Sequence, residues 1–388
     1  MKIPIGPPLR VALLPDFAEE GWPSMDLCAE MIYRHLAAST DGKITPYLFE
    51  PHYRRRLTRI PYFGRHPAAR NADRLLNRFW DYPRALQRQR VGFDFFLLCD
   101  HSYSQLLHVL PPKRAGIFCH DLDAFRSVIE PEREPRPRWY RAMMARVLAG
   151  LRKAVVIFYS TQTIRAEIER HGLIEPERLV HAPYGASLEF TAEAIEAETP
   201  LSILPNTAFL LHVGSCIPRK RIDVLLETFA MARLHTPDLR LLQIGGEWTA
   251  SQQSMIDRLG IRPWLSQVRG ITRAQLAACY RRAQLVLLPS EAEGFGLPLI
   301  EALACGAPVM ASDLKVLREV GGSAAYYIPV GDLAAWKEQV SFAIRDPTHL
   351  PSRQNRLAHA KLFSWSAQAA TIGSTYLRLA AGLVPRVS

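Results

Sequence analysis

Residues 289–306 read PSEAEGFGLPLIEALACG, and this stretch determines how the chain around it can fold. It follows an apolar run, Leu285–Leu288, which predicts a buried strand. The glycines near its start predict a tight turn, and the apolar residues after them predict a helix. Glu293 comes just before the glycines, and Glu301 falls in the first turns of the helix. Two carboxylates therefore bracket a glycine-rich loop between a strand and a helix.

The same alternation of strand and helix runs along the whole chain and predicts a parallel α/β fold. A polar stretch at 196–200 reads as a linker, so we expect two doubly wound Rossmann-like domains, 1–198 and 202–360. Residues 361–388 are expected to form a closing helix that packs back on the first domain. Ser24 is expected to cap the first helix. The predicted strands are Arg10–Pro15, Phe95–Cys99, Gly116–Cys119, Ala154–Tyr159, Leu179–Pro183, Ala208–Gly214, Leu239–Ile244, a run around Val268, Leu285–Leu288, Pro308–Ala311 and Tyr326–Pro329.

Composition bounds the location of the protein and its classes of partner. The six cysteines form no CxxC pair, so a disulfide framework or zinc site is disfavoured and a reducing compartment fits. The first residues are too short an apolar run for a signal peptide, and no run is long enough to cross a bilayer. We therefore expect a cytoplasmic protein, with peripheral attachment to the inner face of the membrane as an open alternative.

The chain has a net charge of +11, and much of it is concentrated in residues 51–90. This segment contains eleven arginines and only two aspartates. Aromatic residues are interleaved with these arginines. Such a segment can face an anionic membrane or a phosphate-bearing substrate. It can equally be a solvated surface whose arginine stems pack on aromatic rings. Nucleic acid is the least favoured partner, because no recognition motif accompanies the charge.

Two segments of the second half predict an anion site, because ligands of open α/β sheets bind beyond the carboxyl ends of the strands. Arg219 and Lys220 follow a predicted strand, although a solvated basic pair would look the same. The loop 294–297 precedes a helix, so its backbone N–H groups can contact a phosphate. Glu293 can bind sugar hydroxyls and Glu301 a ribose, although Glu301 can also be an acid stabilised by the helix dipole. The spacing suits a nucleotide diphospho-sugar.

These residues also carry a resemblance to a known family. EAEGFGLPLIEALACGAPVMASD resembles the E-x(7)-E signature of the retaining glycosyltransferases of family 4, glycosyltransferase group 1, which have the GT-B fold. VGSCIPRKRIDVLLETFA is similar to the phosphate-binding segment of that family, although many members have Gly-Arg where this chain has Gly214-Ser215. The resemblance extends to FCHDL, STQTIRAEI, PYGAS and FSWSAQAATIGSTY, and is strongest in the C-terminal half. It implies two Rossmann-like domains that face each other across a cleft.

The resemblance implies a role for each matching residue. Glu293 would bind the hydroxyls of the donor sugar, and Lys220 and Arg219 would neutralise the diphosphate. His120 would face the donor sugar, although an imidazole at a strand end is often satisfied locally. The remaining donor-binding residues would be Gly294, Phe295, Gly296, Leu297, Glu301, Gly214, Ser215, Val268 and Arg269.

The acceptor side is the least defined part of the prediction. The loop with Gly21 and Trp22 would close over the phosphates or the acceptor, and Asp16 and His101 follow first-domain strands. Asp121-Leu122-Asp123 matches the DxD metal motif of the other large glycosyltransferase fold, but so short a match arises easily by chance. We therefore expect no metal ion and no cofactor besides the nucleotide sugar as co-substrate.

The resulting hypothesis is a retaining, metal-independent hexosyltransferase of glycan biosynthesis. It would move a sugar from a UDP- or GDP-linked donor to a glycan, lipid-linked or small-molecule acceptor. Two alternatives remain open: an inactive donor-binding or scaffold protein of the same fold, and a sugar-nucleotide epimerase or phosphorylase of that fold. A phosphorylase that uses pyridoxal phosphate would need a dedicated lysine, and none of the eight lysines stands out.

Overall fold

The computed structural model describes residues 7–193 and 207–382, which form two compact units. The first unit contains the chain up to Pro183 and again from Trp365, and the second unit contains Tyr184–Ser364. The predicted linker at 196–200 and the predicted boundary between 198 and 202 lie outside the described residues.

The first unit is built on a six-stranded sheet in the order β2-β1-β3-β4-β5-β6, with every neighbouring pair parallel. Its central strands are buried along their whole length, as strands covered by helices on both faces must be. The strands are β1 Leu9–Leu14, β2 Ile44–Leu48, β3 Phe95–Leu98, β4 Ala115–Cys119, β5 Val156–Tyr159 and β6 Leu179–His181. The helices are α1 Pro23–Leu36, α2 Pro67–Leu76, α3 Tyr82–Gln89, α4 Arg126–Ile129, α5 Arg138–Leu151, α6 Gln162–Arg170 and, after the second unit, α14 Trp365–Ala380.

The second unit has its own six-stranded parallel sheet, in the order β12-β11-β10-β7-β8-β9. This is the strand order of a dinucleotide-binding fold. The prediction of two doubly wound α/β domains is therefore confirmed. The strands are β7 Phe209–Gly214, β8 Arg240–Gly245, β9 Leu265–Val268, β10 Leu285–Leu288, β11 Val309–Ser312 and β12 Tyr326–Ile328. The helices are α7 Ile222–His235, α8 Ala250–Leu259, α9 Arg273–Arg282, α10 Leu297–Ala304, α11 Lys315–Gly321, α12 Leu333–Arg345 and α13 Arg353–Ala360.

Two local features of the first unit differ from the sequence prediction. The sequence analysis missed strand β2 because Pro46 interrupts its apolar pattern. The proline is tolerated because β2 is an edge strand, which forms backbone hydrogen bonds to a neighbour on one side only. The prediction that Ser24 caps α1 is wrong. The helix already begins at Pro23, whose fixed φ suits the first helical position, and the capping residue is Trp22.

Helix α14 packs within the first unit, although it follows the second unit in the chain. The hydroxyl of Tyr376 donates to the carbonyl of Phe96 in β3 at 2.8 Å. The side-chain amide of Gln368 donates to the carbonyl of Ala182 at 3.1 Å. Helix α14 is thus bonded to the sheet strand β3 and to the segment that follows β6.

None of the helices within 7–193 and 207–382 combines the length and the apolar character that a membrane span requires.

Candidate functional site

The second sheet changes winding direction between β7 and β10, which are neighbours in the sheet but are separated by two strands in the chain. Open α/β sheets bind ligands at such a switch point, beyond the carboxyl ends of the two strands. Strand β7 ends at Gly214 and β10 ends at Leu288. The two segments predicted to hold the diphosphate, 214–220 and 294–297, follow these two strands. The structure therefore brings the two segments together.

Lys220 and Glu293 form a buried ion pair at this switch point. The Nζ atom of Lys220 lies 2.5 Å from Oε1 of Glu293, and both side chains are about nine-tenths buried. The hydroxyl of Ser290 donates to the same Oε1 at 2.7 Å. Sequence reasoning did not single out Ser290, whose only signal was its place between the strand and Glu293. The other oxygen of Glu293 has a single, longer ionic contact.

That longer contact comes from Arg219, whose Nη1 lies 3.7 Å from Oε2 of Glu293. The same Nη1 donates to the carbonyl of Ala292 at 3.0 Å, and the backbone N–H of Glu291 donates to the carbonyl of Arg219 at 2.8 Å. The two loops are thus tied by backbone and side chain. The guanidinium of Arg219 remains partly exposed and can reach an anion.

The glycine-rich turn depends on Gly296, which adopts a left-handed backbone with φ of 96° directly before α10. A Cβ atom there would lie 2.6 Å from Cδ2 of Leu317, so glycine is required for space as well as conformation. Phe295 is buried, and its ring packs against Tyr184 at 4.7 Å and Phe363 at 5.9 Å. Phe295 can therefore contact a donor through its backbone only, as Leu297 can at the first position of the helix.

Gly245 and Gly246, which the sequence analysis did not single out, support the loop 214–216. A Cβ atom on Gly246 would lie 2.3 Å from the backbone nitrogen of Cys216, and one on Gly245 would lie 2.8 Å from the carbonyl oxygen of Gly214. The N–H of Gly246 donates to that carbonyl at 3.0 Å. A Gly-Gly pair directly after a strand was the available signal. Gly214 and Ser215 are held in place by these contacts.

Glu301 has a separate set of contacts. It is buried in α10, and its Oε2 accepts a hydrogen bond of 3.0 Å from the hydroxyl of Tyr280. Burial raises the pKa of Glu301 to about 7, while the Tyr280 hydrogen bond and the charge of Arg273 partly oppose the rise. Tyr280 was not predicted, because nothing in the sequence links α9 to α10.

His212 lies on β7 next to the ion pair. It is fully buried, and neither ring nitrogen has a hydrogen-bond partner among the described residues. Burial and the nearby charge of Lys220 lower its pKa to about 3, so the imidazole is neutral.

The predicted donor-binding residues Val268 and Arg269 lie at the far edge of the sheet. Val268 ends β9, the edge strand next to β8. Arg269 follows it and forms an exposed ion pair with Glu247, with 2.6 Å between Nη2 and Oε1. Exposed pairs contribute little to stability, so both side chains are available to a ligand.

The first sheet has its own switch point, between β1 and β3, and several of the predicted acceptor-side residues lie there. Asp16 follows β1, Asp100 and His101 follow β3, and His120 follows β4. Gly21 and Trp22 lie on the loop that leads into α1, where Gly21 has φ of 73° and the Trp22 side chain is half exposed.

Two buried carboxyl groups of this cluster interact and differ in protonation. Burial and the charge of Asp100 raise the pKa of Asp16 well above its usual range. Burial also opposes ionisation of Asp100, but His101, His120 and hydrogen bonds outweigh it, so the pKa of Asp100 falls below its usual range. The N–H and hydroxyl of Ser102 donate to Asp100 at 2.7 and 2.8 Å. Asp16 is therefore the neutral member and Asp100 the anion.

The two histidines of the cluster are in different states. The nitrogens of His101 lie 3.2 Å from Asp100 and 3.3 Å from Asp121. Burial opposes the charge of His101, but these carboxylates raise its pKa. Burial lowers the pKa of His120, whose Nε2 lies 2.6 Å from the carbonyl oxygen of Cys99 and whose ring stacks on Phe118. His120 thus has the local partner that the non-catalytic alternative requires.

A second buried group at this edge was missed entirely. Glu20 is almost fully buried; its Oε1 accepts a 2.6 Å hydrogen bond from Tyr103, and its Oε2 pairs with Arg74 at 2.6 Å. Arg78 is buried beside them, donates to the carbonyl of Ser102 and lies 4.3 Å over the ring of Tyr103. Arg78 belongs to a π-helical turn, Asn77–Asp81, a feature often found at functional sites and without a sequence signature.

The DxD triplet is used locally. Oδ1 of Asp121 accepts from the N–H of Asp123 at 2.9 Å and faces His101, while Asp123 pairs with Arg126 at 3.6 Å. The described residues contain no group of three or more His, Cys, Asp or Glu side chains placed to hold a metal ion.

Comparison with known proteins agrees with this geometry. Residues 196–361 match the family described as glycosyl transferases group 1. This part of the chain is similar to that family. The match covers both loops of the second switch point, and it confirms the resemblance noted from the sequence.

The curated relatives are glycosyltransferases by name. D-inositol 3-phosphate glycosyltransferase of Segniliparus rotundus is 29% identical over 227 residues, which cover 56% of this chain and 51% of the relative. O-antigen chain mannosyltransferase B of Escherichia coli is 28% identical and covers 69% of this chain and 71% of the relative. The chain thus spans about half the length of the first of these relatives.

Solved structures share the fold over nearly the whole chain. Sucrose-phosphate synthase of Thermosynechococcus elongatus superimposes with a TM-score of 0.74 at 19% identity, covering 96% of this chain and 100% of that one. Anabaena HepE, solved in complex with UDP and glucose, superimposes with a TM-score of 0.67 at 15% identity, covering 97% of this chain and 100% of that one. These likenesses show that the chain has the GT-B fold.

Proposed function

We propose that this protein is a glycosyltransferase that takes a sugar from a UDP- or GDP-linked donor and transfers it, with retention of configuration, to a glycan, lipid-linked or small-molecule acceptor. The observation that carries the proposal is the buried Lys220–Glu293 pair at the switch point of the second sheet. A buried ion pair is expensive to desolvate and is weak evidence for stability alone. Its place at the ligand-binding edge of the sheet gives it a functional reason.

The cations of this site suit the leaving group of such a reaction. As the bond to the anomeric carbon breaks, negative charge develops on the nucleoside diphosphate. Lys220 has further N–H donors beyond the one that faces Glu293, and the partly exposed Arg219 can reach the same anion. The first N–H groups of α10 have no partner within the helix, so they can bind a phosphate oxygen. Fixed donors of this kind stabilise developing charge without reorganisation.

Glu293 suits the donor sugar. Its Oε1 is occupied by Lys220 and Ser290, which fix the orientation of the carboxylate. Among the described residues, its Oε2 contacts only Arg219, at 3.7 Å, and it can accept hydrogen bonds from sugar hydroxyls. Held in this way, Glu293 positions the sugar and does not act as a nucleophile. Retention would then proceed by substitution on one face, in which the departing phosphate accepts the proton of the acceptor, and no metal ion is required.

The named relatives support the donor class. HepE binds UDP and glucose, and the inositol-phosphate and mannosyl relatives transfer sugars according to their names. For this chain we propose the same class of donor, a nucleotide diphospho-sugar, with Glu301 facing the ribose.

The test is a panel of UDP-, GDP-, ADP- and dTDP-sugars read by thermal shift and by release of the nucleoside diphosphate. We expect one nucleotide class to stabilise the wild-type protein and to be turned over slowly without an added metal ion, in the presence of a chelator. Lys220→Met should lose both responses. The matched control is Lys337→Met, which removes another lysine of the second unit from a 2.9 Å pair with Glu227, away from the switch point.

The outcomes separate the proposal from its alternatives. Nucleotide binding that needs Lys220 but gives no turnover with any acceptor would indicate a donor-binding or scaffold protein. Conversion of the donor sugar without transfer would indicate an epimerase. A chelator that abolishes turnover would overturn metal independence, and inversion at the anomeric carbon of the product would overturn retention.

A further inference from the structure

The arginine-rich segment of the first unit lines a cavity of about 670 Å³. It opens between the loop that follows β1 and the start of α2. Its charged and polar lining residues are four arginines, two glutamates, a tyrosine and an asparagine: Arg55, Arg59, Arg70, Arg74, Glu19, Glu20, Tyr53 and Asn71. The volume lies in the range of about 300–1,000 Å³ that is usual for small-molecule sites.

Three of these arginines lack a counter-ion. Arg74 pairs with the buried Glu20 at 2.6 Å. Within residues 7–193 and 207–382, by contrast, no carboxylate forms an ion pair with Arg55, Arg59 or Arg70. Arg55, Arg59 and Arg70 are exposed to solvent, and the four arginines outnumber Glu19 and Glu20, so the cavity carries a net positive charge that favours an anion.

A second cavity of the same segment, of about 490 Å³, is lined by two arginines that have partners within the protein, Arg56 and Arg84. There Arg56 makes two hydrogen bonds to Asp81, at 2.7 and 2.8 Å. Arg84 lies 3.1 Å over the ring of Trp80. Arg56 is neutralised by an ion pair and the exposed Arg84 is stacked on an aromatic ring, as the solvated-surface alternative predicts. Among the described residues, Arg55, Arg59 and Arg70 of the larger cavity have no such ion pair or ring contact.

The backbone that carries Arg55 and Arg59 is held rigidly. The buried carboxylate of Asp73, on α2, accepts from the backbone N–H groups of Arg56, Leu57 and Thr58 at 2.9–3.1 Å. It also accepts from the hydroxyl of Thr58 at 2.7 Å. This loop is therefore fastened to the helix that carries Arg70 and Arg74.

Gly64 packs against the same loop, at the carbonyl group of Thr58. A Cβ atom on Gly64 would lie 2.3 Å from the carbonyl oxygen of Thr58, so the two turns pack at a distance that only glycine allows. Its N–H donates to the carbonyl of Ile60 at 2.8 Å. The guanidinium groups thus project from a fixed frame, and little backbone entropy is lost when they bind a ligand.

The cavity adjoins the switch point of the first sheet through Glu20. This residue lines the cavity, and its other oxygen accepts the 2.6 Å hydrogen bond from Tyr103, in the segment that follows β3. A ligand in the cavity would therefore lie beside the carboxyl end of β1, where the acceptor-side residues Asp16 and His101 are found.

We propose that this cavity binds a phosphate group of the sugar acceptor, so that the acceptor is a phosphorylated polyol or sugar. The inference rests on the proposed function. Guanidinium groups bind phosphate oxygens through two parallel hydrogen bonds, and three free ones match a phosphomonoester dianion. Tyr53 and Asn71 add hydrogen-bonding groups for hydroxyls on the same ligand. The phosphate can belong to a soluble molecule or to a lipid headgroup, and the chemistry of recognition is the same.

The experiment measures binding of inorganic phosphate, glucose 6-phosphate and glucose to the full chain by calorimetry. We expect glucose 6-phosphate to bind more tightly than inorganic phosphate, and glucose to bind least. Arg59→Gln and Arg70→Gln should each weaken glucose 6-phosphate binding about tenfold or more, because each removes a charge-assisted pair. Arg65→Gln is the matched control. Arg65 belongs to the same segment and is exposed, but it does not line the cavity, so its loss should change binding about twofold at most.

A vesicle arm separates the two sources of phosphate. Phosphatidylcholine vesicles with and without phosphatidic acid are sedimented with wild type and with the Arg59→Gln/Arg70→Gln variant. Binding to phosphatidic acid that depends on these arginines, without binding of glucose 6-phosphate, assigns the phosphate to a lipid headgroup. Binding of glucose 6-phosphate without vesicle binding assigns it to a soluble acceptor. Either result supports the cavity as a phosphate site.

The inference fails if Arg59→Gln and Arg70→Gln weaken binding no more than Arg65→Gln does, in both arms. It also fails if Lys220→Met abolishes phosphate binding while the cavity variants keep it, since the anion site would then be the donor site alone. Failure of the proposed function looks different: no nucleotide sugar would bind, while binding of the phosphate probes would still depend on Arg59 and Arg70.

Discussion

Both sheets of this molecule are parallel and have a switch point, but the two switch points have opposite chemistry. In the second unit, Lys220 and Glu293 form one pair of opposite charge, built from two continuous segments that follow β7 and β10. In the first unit, Asp16 and Asp100 are both acidic groups, and only Asp100 is ionised. The first unit assembles its site from the loops after three strands and adds Arg78 from a π-helical turn.

This difference shows how each site balances its buried charge when no ligand is bound. The second site supplies its own counter-ion, so it keeps its geometry without a ligand, and the ligand has to share the cation with Glu293. The first site lowers its charge by holding a proton on Asp16, so its state is sensitive to neighbouring charges and to pH. The variants below test this contrast, beginning with the largest expected effect.

Lys220→Met should have the largest effect. It leaves Glu293 charged and buried, so we expect the free energy of unfolding to fall by about 3–5 kcal/mol. Donor turnover should fall by about 10²–10³-fold, since one fixed donor to the leaving group is lost. Denaturant unfolding and nucleoside diphosphate release measure the two effects.

The double variant Lys220→Met/Glu293→Gln separates the effect on stability from the effect on donor turnover. Removing both charges should restore most of the stability but none of the turnover. Lys337→Met, the control in a half-buried pair, should cost about 1 kcal/mol or less. A double variant that stays as unstable as the single one would contradict the account of an unpaired buried charge.

Glu301→Gln should show the cost of burying the second carboxylate. Because its pKa rises from 4.5 to about 7 on folding, the folded state holds a proton that the unfolded state releases between these values. Its contribution to stability is therefore present below pH 4.5 and is lost as the pH rises through about 7. The difference corresponds to about 3 kcal/mol.

We therefore expect Glu301→Gln to be more stable than wild type at pH 8, and this advantage to shrink towards pH 5. Urea unfolding at several pH values measures it. Glu247→Gln, which changes an exposed carboxylate of the same unit, should leave the pH profile unchanged. Equal pH profiles for wild type and Glu301→Gln would show that the carboxylate is not titrating in this range.

In the first unit, Asp100→Asn and Asp16→Asn should differ although the change is the same. Asp100→Asn removes the anion that accepts from Ser102 and faces His101, so we expect a loss of about 2 kcal/mol and a lower pKa of His101. Asp16→Asn replaces a neutral acid by a neutral amide and should cost about 1 kcal/mol or less. Unfolding curves and the NMR titration of the His101 ring measure both. The reverse order would exchange the protonation states of the pair.

Glycine substitutions should again differ between the two units. Gly21→Ala places a side chain at φ of 73° with open space around it, so only conformational strain of about 1–2 kcal/mol is expected. Gly296→Ala adds an overlap with Leu317 at 2.6 Å, which should raise the total by about a further 1–3 kcal/mol. Thermal unfolding of the two variants compares them. Equal losses would mean that Leu317 moves aside freely.

The sequence predicted the second unit better than the first for a physical reason. Each functional segment there is continuous, so Gly214–Lys220 and Glu293–Glu301 could be recognised without knowing which strands are neighbours. Tyr280 escaped because its link to Glu301 is tertiary. In the first unit, Glu20, Arg78 and Tyr103 meet only after folding, and no spacing in the sequence connects them.

Local irregularities account for the other differences. Pro46 disrupts the sequence pattern of β2, and this strand can contain a proline because it lies at the edge of the sheet. Helix α1 begins at Pro23, one residue before Ser24, which was expected to cap it. The eleven arginines of 51–90 were counted correctly from the sequence, but their division into paired and unpaired groups depends on Asp73, Asp81 and Glu20. Charge density can be read from a sequence, whereas neutralisation cannot.

Helix α14 gives the chain a particular order of assembly. The ribosome delivers every strand of the first sheet before it delivers the helix whose Tyr376 bonds to Phe96 of β3. The second unit emerges in between and can fold as a complete body while the first still lacks one of its helices. A nascent chain that stalls before Trp365 would therefore expose apolar sheet surface around Phe95 and Phe158, which contact the ring of Tyr376 in the finished fold. The domain that is synthesised first is therefore the last to be completed.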